Sequence, residues 1–289
     1  MATTSYAKPE VLVTTEWLAA HLADPKLRIV EIDVDRESYA QGHIPGAVGW
    51  DWSKELGAAL QRDIPSAAEF EALLSKNGIN PDDTLILYGD NNNWFAAFGF
   101  WLLKIYGHHD VRILDGGRKK WLAEGRSVTQ EIPASAQTSY KVNGNRTSEL
   151  RAFREDVLAE LAPGKLGLVD VRSPAEFTGE IISPPGLPET AQRGGHIPGA
   201  RSIPWGLACN EDGTFKSADD LKALYQGRGI SPDKPVIAYC RIGERSAHTW
   251  FVLSQLLGYS RVKNYDGSWT EWGNIVGSPI EKGEVAPVR

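Results

Sequence analysis

Short runs of apolar residues alternate along the chain with segments of helical period. Runs with the length of buried strands lie at 29–32, 85–88, 112–114, 167–171, 236–239 and 262–265. Helical patterns lie between them, for example at 66–78 and 217–229, and both of these end at a glycine. This alternation predicts an α/β fold in which a parallel sheet is flanked by helices. In such sheets, ligands bind at the carboxyl ends of the strands.

The same order of patterns occurs twice in the chain. The segment 85–121 aligns with 236–272 without a gap, and the motif GHIPGA stands at 42–47 and again at 195–200. A repeat of this length predicts two tandem domains that share one fold.

The domain boundaries are predicted from local composition. Residues 133–149 are polar and have no apolar period, which is typical of a linker. The N-terminal domain is then predicted at 8–132 and the C-terminal domain at 150–289. The C-terminal domain also contains an insertion with several prolines at 179–194, which predicts a loop.

Composition and charge exclude several classes of function. The chain has 289 residues, a net charge of −6 and no long basic stripe, so nucleic acid is not an expected partner. The longest apolar run, 94–103, is about half a membrane span, and the N-terminus lacks the features of a signal peptide. The two cysteines form neither a disulfide framework nor a zinc-binding pattern. We therefore expect a soluble cytoplasmic protein without a metal ion or a membrane partner.

One of the two cysteines directly follows a predicted buried strand. Cys240 ends the run VIAY, and a helical pattern begins near Ser246. A short loop before a helix directs backbone N–H groups inward, and Gly243 permits the conformation that such a loop needs. Thiols at helix N-termini and beside cations ionise readily. With Arg241 and Arg245 nearby, Cys240 is expected to be a nucleophilic thiolate that needs no general base.

A structural role is the alternative for each cysteine, because free cysteine is often buried as a small apolar residue. For Cys240, the strand end, the two arginines and the helix start favour the catalytic interpretation. Cys209 has none of these neighbours and is predicted to be a packed or loop residue.

Two chemistries suit a thiolate in an anion-binding loop. One is the phosphatase or arsenate reductase chemistry of C-x5-R loops, and the other is sulfur transfer through a persulfide. The spacing from Cys240 to Arg245 is C-x4-R, one residue shorter. A smaller ring of N–H donors suits a persulfide sulfur better than a phosphate, so sulfur transfer is favoured. A sulfur carrier or binding module with little turnover is a third interpretation.

Four motifs resemble those of the rhodanese family, in particular its two-domain thiosulfate sulfurtransferases of actinobacterial type. They are CRIGERS (240–246), GHIPGA, DVRSPAEF (170–177) and YDGSWTEW (265–272), and the resemblance covers about residues 10 to 280. It implies that Cys240 takes the sulfane sulfur of thiosulfate and releases sulfite. The persulfide then passes its sulfur to cyanide or to a thiol acceptor, without any cofactor. Such a covalent intermediate implies ping-pong kinetics.

The resemblance also implies roles for individual residues. These are Arg241 and Arg245 as substrate ligands, Ile242, Gly243, Glu244 and Ser246 as the active-site loop, and Trp94, Phe95, Arg172 and Trp269 as the lining of a cleft. We further expect Asp170 and Arg172 to anchor the loop through an ion pair that involves Glu176.

A second branch of the family uses 3-mercaptopyruvate, and its loop usually carries small or neutral residues. The two arginines of this loop suit a compact dianion and favour thiosulfate. Ile242 and Glu176 depart from the vertebrate-type enzyme, which has a lysine and an arginine at these positions.

The first repeat lacks the reactive residues. Gly89 aligns with Cys240, and Asp90 aligns with Arg241. The N-terminal domain is therefore predicted to be inactive, with its aromatic residues either lining the cleft or forming its own core. The histidines interpreted as structural residues of turns and packing are His43, His196 and His248.

Overall fold

The computed structural model describes residues 5–35, 37–161, 165–186 and 190–284. The chain forms two compact units. The N-terminal unit contains Glu10–Arg146 and Cys209–Phe215, and the C-terminal unit contains Met1–Pro9, Thr147–Ala208 and Lys216–Arg289. Each half of the sequence therefore contributes a short segment to the unit that the other half builds.

Each unit is built on a five-stranded parallel sheet. The strands of the N-terminal unit are β1 (Leu12–Val13), β2 (Leu27–Glu31), β3 (Ala47–Gly49), β4 (Thr84–Tyr88) and β5 (Val111–Leu114). Those of the C-terminal unit are β6 (Arg151–Ala152), β7 (Gly167–Asp170), β8 (Arg201–Ser202), β9 (Val236–Tyr239) and β10 (Val262–Tyr265). The spatial orders, β1-β5-β4-β2-β3 and β6-β10-β9-β7-β8, are equivalent. The predicted α/β fold and its duplication are confirmed.

Helices connect the strands in both units. Those of the N-terminal unit are α1 (Thr15–His21), α2 (Ser38–Gln41), α3 (Trp52–Glu55), α4 (Ala67–Lys76), α5 (Trp94–Ile105) and α6 (Gly117–Ala123). Those of the C-terminal unit are α7 (Thr147–Leu150), α8 (Arg154–Ala159), α9 (Pro174–Thr178), α10 (Ala218–Gln226), α11 (Glu244–Phe251) and α12 (Ser268–Trp272). Within the described ranges, no helix has the length and apolar character needed to cross a membrane.

The apolar pattern predicts the three central strands of each sheet to within two residues of their observed bounds. It does not predict the outer strands β1, β3, β6 and β8. These strands are two or three residues long, too short for an apolar period to be recognised. Each of them is recognised by its pairing with a neighbouring strand.

The register of the C-terminal sheet brings the carboxyl ends of its central strands to one level. Asp170 of β7 lies opposite Tyr239 of β9, which lies opposite Tyr265 of β10. The next residues after β9 and β10, Cys240 and Asp266, therefore leave the sheet at the same edge. This is the edge at which parallel sheets bind their ligands.

A buried tyrosine at the end of a central strand holds the GHIPGA turn in each unit. The Tyr88 hydroxyl accepts a hydrogen bond from the Ile44 N–H at 2.9 Å, and the Tyr239 hydroxyl accepts one from the Ile197 N–H at 3.1 Å. Because the same hydrogen bond occurs in both halves, the two repeats share side-chain contacts as well as topology.

The histidines of these turns have structural contacts, as predicted. His196 Nδ1 lies 2.8 Å from the Phe177 carbonyl oxygen, and the two rings stack with centroids 3.7 Å apart. His43 makes the equivalent contacts with Tyr39, at 2.9 Å and 3.8 Å.

The segment Cys209–Phe215 pairs with itself and packs on the N-terminal unit. Its two end residues form an isolated antiparallel bridge. The Phe215 N–H donates a hydrogen bond to the Asp115 carboxylate at 2.9 Å. Cys209 is buried, in agreement with its predicted packing role.

Burial raises the pKa of the Asp115 carboxyl to about 6. Because this pKa is raised in the folded state, the stability that the group contributes is present below about pH 4 and is lost as the pH rises through about 6. Asp115→Asn should therefore gain up to about 3 kcal/mol in unfolding free energy over the wild type between about pH 4 and pH 7. Denaturant titrations at several pH values measure this difference.

Asp212, in the same segment, supplies a control of opposite sign. Hydrogen bonds from Thr214 and Lys120 lower the pKa of Asp212 to about 2. Its contribution to stability is present above about pH 4 and is lost as the pH falls through about 2. The unfolding free energy of Asp212→Asn should therefore differ less from that of the wild type at acidic pH than at neutral pH. If the unfolding free energies of Asp115→Asn and the wild type differed by the same amount at every pH, the raised pKa of Asp115 would be contradicted.

Candidate active site

Cys240 lies at the carboxyl end of β9, at the start of the loop that leads into α11. Its side chain is fully buried, and the Gly243 N–H donates a hydrogen bond to Cys240 Sγ at 3.0 Å. Helix α11 begins at Glu244, two residues before the predicted start near Ser246. The predicted start lies too far along the chain because Glu244 and Arg245, in the first turn, are charged and add nothing to the apolar pattern of the helix.

Two backbone carbonyl groups of the loop are bound by the N-terminal end of α12. The Cys240 carbonyl accepts a hydrogen bond from the Trp269 N–H at 3.1 Å, and the Arg241 carbonyl accepts one from the Thr270 N–H at 3.0 Å. A carbonyl and the N–H of the next residue point in opposite directions across a planar trans peptide. The N–H groups of Arg241 and Ile242 therefore point away from α12.

The Gly243 carbonyl is held in a similar way. Asn264 Nδ2 donates to it at 2.9 Å, and the Ser246 hydroxyl lies 3.0 Å from it. The Glu244 N–H, across the next peptide, therefore points away from Asn264. These N–H groups are thus turned away from the groups that bind the carbonyls, and the Gly243 N–H contacts Cys240 Sγ. Such an arrangement is typical of an anion-binding site at a helix N-terminus.

Only glycine fits at position 243. Its φ is +103°, and a Cβ there would lie 2.5 Å from the Asp266 Cα. Asp266 has little freedom to move aside, because Arg151 binds its carboxylate through two hydrogen bonds of 2.8 Å each.

Ser268 supports the loop from α12, and the sequence pattern did not single it out. Its hydroxyl accepts a hydrogen bond from the Cys240 N–H at 3.0 Å and donates one to the Tyr265 carbonyl at 2.7 Å. It is buried with φ at +54°, a conformation that costs a residue with a side chain about 1 kcal/mol or more. The signal in the sequence was its counterpart in the first repeat, Gly117, because an aligned glycine indicates a left-handed backbone.

Two buried ion pairs lie beside the loop. Arg245 binds Glu176 through two hydrogen bonds of 3.1 and 3.2 Å, and Arg172 binds Asp170 at 2.6 Å. The Arg172 guanidinium also lies 4.4 Å from the Trp269 ring centroid. The expected grouping of Asp170, Arg172 and Glu176 is therefore right for the pair of Asp170 with Arg172 and wrong for Glu176. Asp170, two residues away on the chain, reaches Arg172, and Glu176 binds Arg245.

Two further charged residues of the predicted loop are buried. Arg241 and Glu244 are 6% and 7% exposed, so both charged side chains are buried with Cys240. Inside α11, His248 is fully buried and meets Trp205 edge-on with centroids 5.3 Å apart, which is the predicted packing role. Among the residues that the structure describes, no group of three or more His, Cys, Asp or Glu side chains is placed to hold a metal ion.

Trp94 and Phe95 belong to the N-terminal unit. Phe95 is buried, and its ring stacks on Trp52 and Trp94 with centroid distances of 4.5 and 5.3 Å. Phe95 is thus a core residue of that unit, and Trp94 is half-buried. A cleft role for the two residues stays a prediction.

The loop of the first repeat has no space for a nucleophile. A Cβ at Gly89, the counterpart of Cys240, would lie 2.0 Å from the Ile32 carbonyl oxygen. The Asn93 side chain lies against the same glycine: it accepts a hydrogen bond from the Gly89 N–H at 3.0 Å and donates one to the Leu114 carbonyl at 2.7 Å. A cysteine at position 89 would require the backbone to move.

The chain matches one family of protein domains twice. The family described as "Rhodanese-like domain" matches residues 14–124 and again 153–275. The two matches fall on the two repeats and together cover most of the chain.

Several known proteins are similar over almost the whole chain. The sulfur carrier protein TtuD of Thermus thermophilus is 54% identical, over 96% of this chain and 99% of its own length. A candidate thiosulfate sulfurtransferase of Mycolicibacterium smegmatis is also 54% identical, with the same coverage. The solved structure of the 3-mercaptopyruvate sulfotransferase SseA from Escherichia coli has a TM-score of 0.77 and 31% identity, over 90% of this chain and 98% of that chain.

The tight fit of Gly243 predicts the effect of Gly243→Ala. The added Cβ overlaps Asp266, so the loop must shift and the N–H contact with Cys240 Sγ should be lost. We expect alkylation of Cys240 by iodoacetamide at neutral pH to slow by about tenfold, because the thiolate loses a donor. Mass spectrometry of the alkylated protein over time gives the rate.

Gly229→Ala is the matched control. Gly229 also has a positive φ, +78°, but a Cβ there meets no atom within 4 Å. This variant should carry only the backbone strain of about 1–2 kcal/mol and leave the alkylation rate unchanged. Equal alkylation rates in the two variants would argue against the close fit of the loop.

Proposed function

Since the chain belongs to the rhodanese family, we propose that it is a thiosulfate sulfurtransferase that carries the transferred sulfur as a persulfide on Cys240. The observation that carries this proposal is the Cys240 loop. It holds a buried thiol within hydrogen-bond distance of the Gly243 N–H at the start of α11. Three of its carbonyl groups are bound so that the neighbouring N–H groups point the other way.

The reaction consists of two displacements at sulfur. The Cys240 thiolate attacks the sulfane sulfur of thiosulfate, the sulfur–sulfur bond of thiosulfate breaks, and sulfite leaves with the bonding electron pair. Cyanide or a thiolate acceptor then attacks the outer sulfur of the persulfide. The bond between Cys240 Sγ and the outer sulfur breaks, and its electron pair stays on Sγ, which restores the Cys240 thiolate. Two steps that share a covalent intermediate give ping-pong kinetics.

The main electrostatic problem is the approach of two anions. A thiolate and a thiosulfate dianion repel each other, and this repulsion is strong in a buried site. Arg241 and Arg245 supply positive charge, and the N–H groups of the loop can hold the persulfide anion at the N-terminus of α11. The ring of donors is one residue shorter than in C-x5-R phosphatase loops, which favours a single sulfur anion over a phosphate.

The named relatives support the same chemistry. One is a candidate thiosulfate sulfurtransferase, and another is a sulfur carrier protein. The 3-mercaptopyruvate sulfotransferase is less similar, at 31% identity, and the two loop arginines favour thiosulfate over its substrate. We also propose a cytoplasmic location, since reducing conditions keep a persulfide-forming thiol available.

The N-terminal domain, at 8–132, is proposed to be catalytically inactive, and the reaction is proposed to take place in the domain at 150–289. Gly89 replaces the nucleophile, and the surrounding backbone leaves no space for another residue. In the catalytic domain, Arg172 and Trp269 pack on each other beside the loop and are proposed to form one wall of the site.

The two cysteines should behave differently. We expect Cys240→Ser to abolish thiocyanate formation from thiosulfate and cyanide, because a serine hydroxyl cannot form the persulfide. Cys209→Ser should keep turnover within about twofold of the wild type, since Cys209 packs in the N-terminal unit. Colorimetric measurement of thiocyanate tests both variants. Loss of activity in Cys209→Ser alone would contradict the assignment.

Donor binding should depend on Arg241. Arg241→Gln removes a charge that can bind the thiosulfate dianion, so we expect KM for thiosulfate to rise by about tenfold or more. The value of kcat should fall less, because the thiol and the N–H groups are unchanged. Arg228→Gln, at an exposed position, is the control and should leave both constants unchanged. An unchanged KM in Arg241→Gln would place donor binding elsewhere.

A further inference from the structure

Arg245 is held firmly although it belongs to the loop that the donor approaches. Its Nη1 and Nη2 atoms bind both carboxylate oxygens of Glu176, at 3.2 and 3.1 Å. Both residues are buried, with Arg245 8% exposed and Glu176 fully buried. A bidentate pair of this kind fixes the orientation of the guanidinium as well as its position.

Glu176 is held on its other side by the helix that carries it. It is the third residue of α9 and forms a capping box with Ser173, whose N–H and hydroxyl lie 3.0 and 2.9 Å from Glu176 Oε2. Burial alone would raise the pKa of Glu176, but the hydrogen bonds from Arg245 and the charge of that residue lower it overall. The carboxylate is therefore ionised and has four hydrogen-bond donors around it.

The pair connects two motifs that are distant in sequence. Glu176 comes from DVRSPAEF after β7, and Arg245 comes from CRIGERS after β9. Through the pair, α9 holds the first turn of α11, which begins four residues after Cys240. Glu176 also offsets the charge of Arg245 beside the thiol.

The first repeat supports a link between this pair and the reactive cysteine. In the gap-free alignment, the counterpart of Arg245 is Trp94, and the counterpart of Cys240 is Gly89. The half that has no nucleophile therefore also lacks the arginine. A residue needed only for folding would be expected in both halves, since the sheets and turns are equivalent.

We propose that Glu176 is a positioning residue for sulfur transfer: it holds Arg245 so that this arginine orients the Cys240 loop instead of binding the sulfur donor. The inference rests on the proposed function and refines it. Arg241 and the loop N–H groups then bind the donor, and Arg245 acts through the geometry of the loop and the field at Cys240.

A double-mutant cycle tests this assignment. The variants are Glu176→Gln, Arg245→Gln and the double variant, which replace each charged group by an amide of similar shape. Each single variant leaves one buried charge without its partner, whereas the double variant leaves none. We expect each single variant to lose about tenfold or more in kcat, and the double variant to recover at least about tenfold over Arg245→Gln. KM for thiosulfate should change little throughout.

The charge at Cys240 gives a second readout that does not depend on turnover. The rate of alkylation by iodoacetamide, measured against pH, reports where the thiol ionises. Its midpoint should move to lower pH in Glu176→Gln, which leaves a cation, and to higher pH in Arg245→Gln, which leaves an anion. In the double variant the midpoint should return close to the wild-type value. A residue that only supports the fold would not move the two midpoints in opposite directions.

Two further variants separate loss of this ion pair from loss of any ion pair and from loss of charge alone. Asp110→Asn breaks a bidentate pair with Arg112 in the N-terminal unit and should change neither turnover nor alkylation. Arg245→Lys keeps the charge but loses the planar fork, so kcat should fall while KM is kept. If Arg245→Gln does not fold, the Glu176→Gln and Arg245→Lys variants still test the assignment.

Two results would overturn the inference. One is a double variant that is as impaired as Arg245→Gln with the loss mainly in KM, because Arg245 would then bind the donor. The other is a loss of kcat in the double variant that equals the product of the losses in Glu176→Gln and Arg245→Gln, because the two residues would then act independently. Failure of the proposed function looks different: the wild type itself would release no sulfite from thiosulfate, whereas the alkylation midpoints would still report on the pair.

Discussion

The structure of the candidate site depends on the way the Cys240 loop is held by its carbonyl groups. Donors from α12 and from Asn264 bind the carbonyls of Cys240, Arg241 and Gly243. Peptide planarity then directs the intervening N–H groups to the other side. The glycine at 243 and the serine at 268 have positive φ values that this geometry requires. The proposed anion-binding role of the loop therefore depends on contacts that its carbonyl groups make.

The duplication shows which features the fold needs and which the chemistry needs. Both halves keep the order of the strands and the tyrosine that holds the GHIPGA turn. Only the second half has a cysteine after its central strand, and the first half has a glycine there whose Cβ position is blocked by Ile32. The first half thus lacks the cysteine, and its backbone leaves no space for one.

The sequence predicted much of the fold and the centre of the site, because both leave strong local signals. Apolar runs located the central strands, and the short span from Cys240 to the next helix indicated an anion-binding loop. The partner of Arg245 was not predictable, because Glu176 lies 69 residues away in the sequence and only the tertiary fold brings the two together. Asn264 was also missed, although a polar residue in a buried strand, aligned with Ile113 of the first repeat, was a usable signal.

The central claim is that Cys240 carries the sulfur, and intact-protein mass spectrometry after incubation with excess thiosulfate tests it most directly. The account predicts a mass gain of one sulfur atom, located at Cys240 by peptide mapping and lost when cyanide is added. No gain with thiosulfate, or a gain at another residue, would contradict it. A gain with 3-mercaptopyruvate alone would keep the persulfide but contradict the assigned donor.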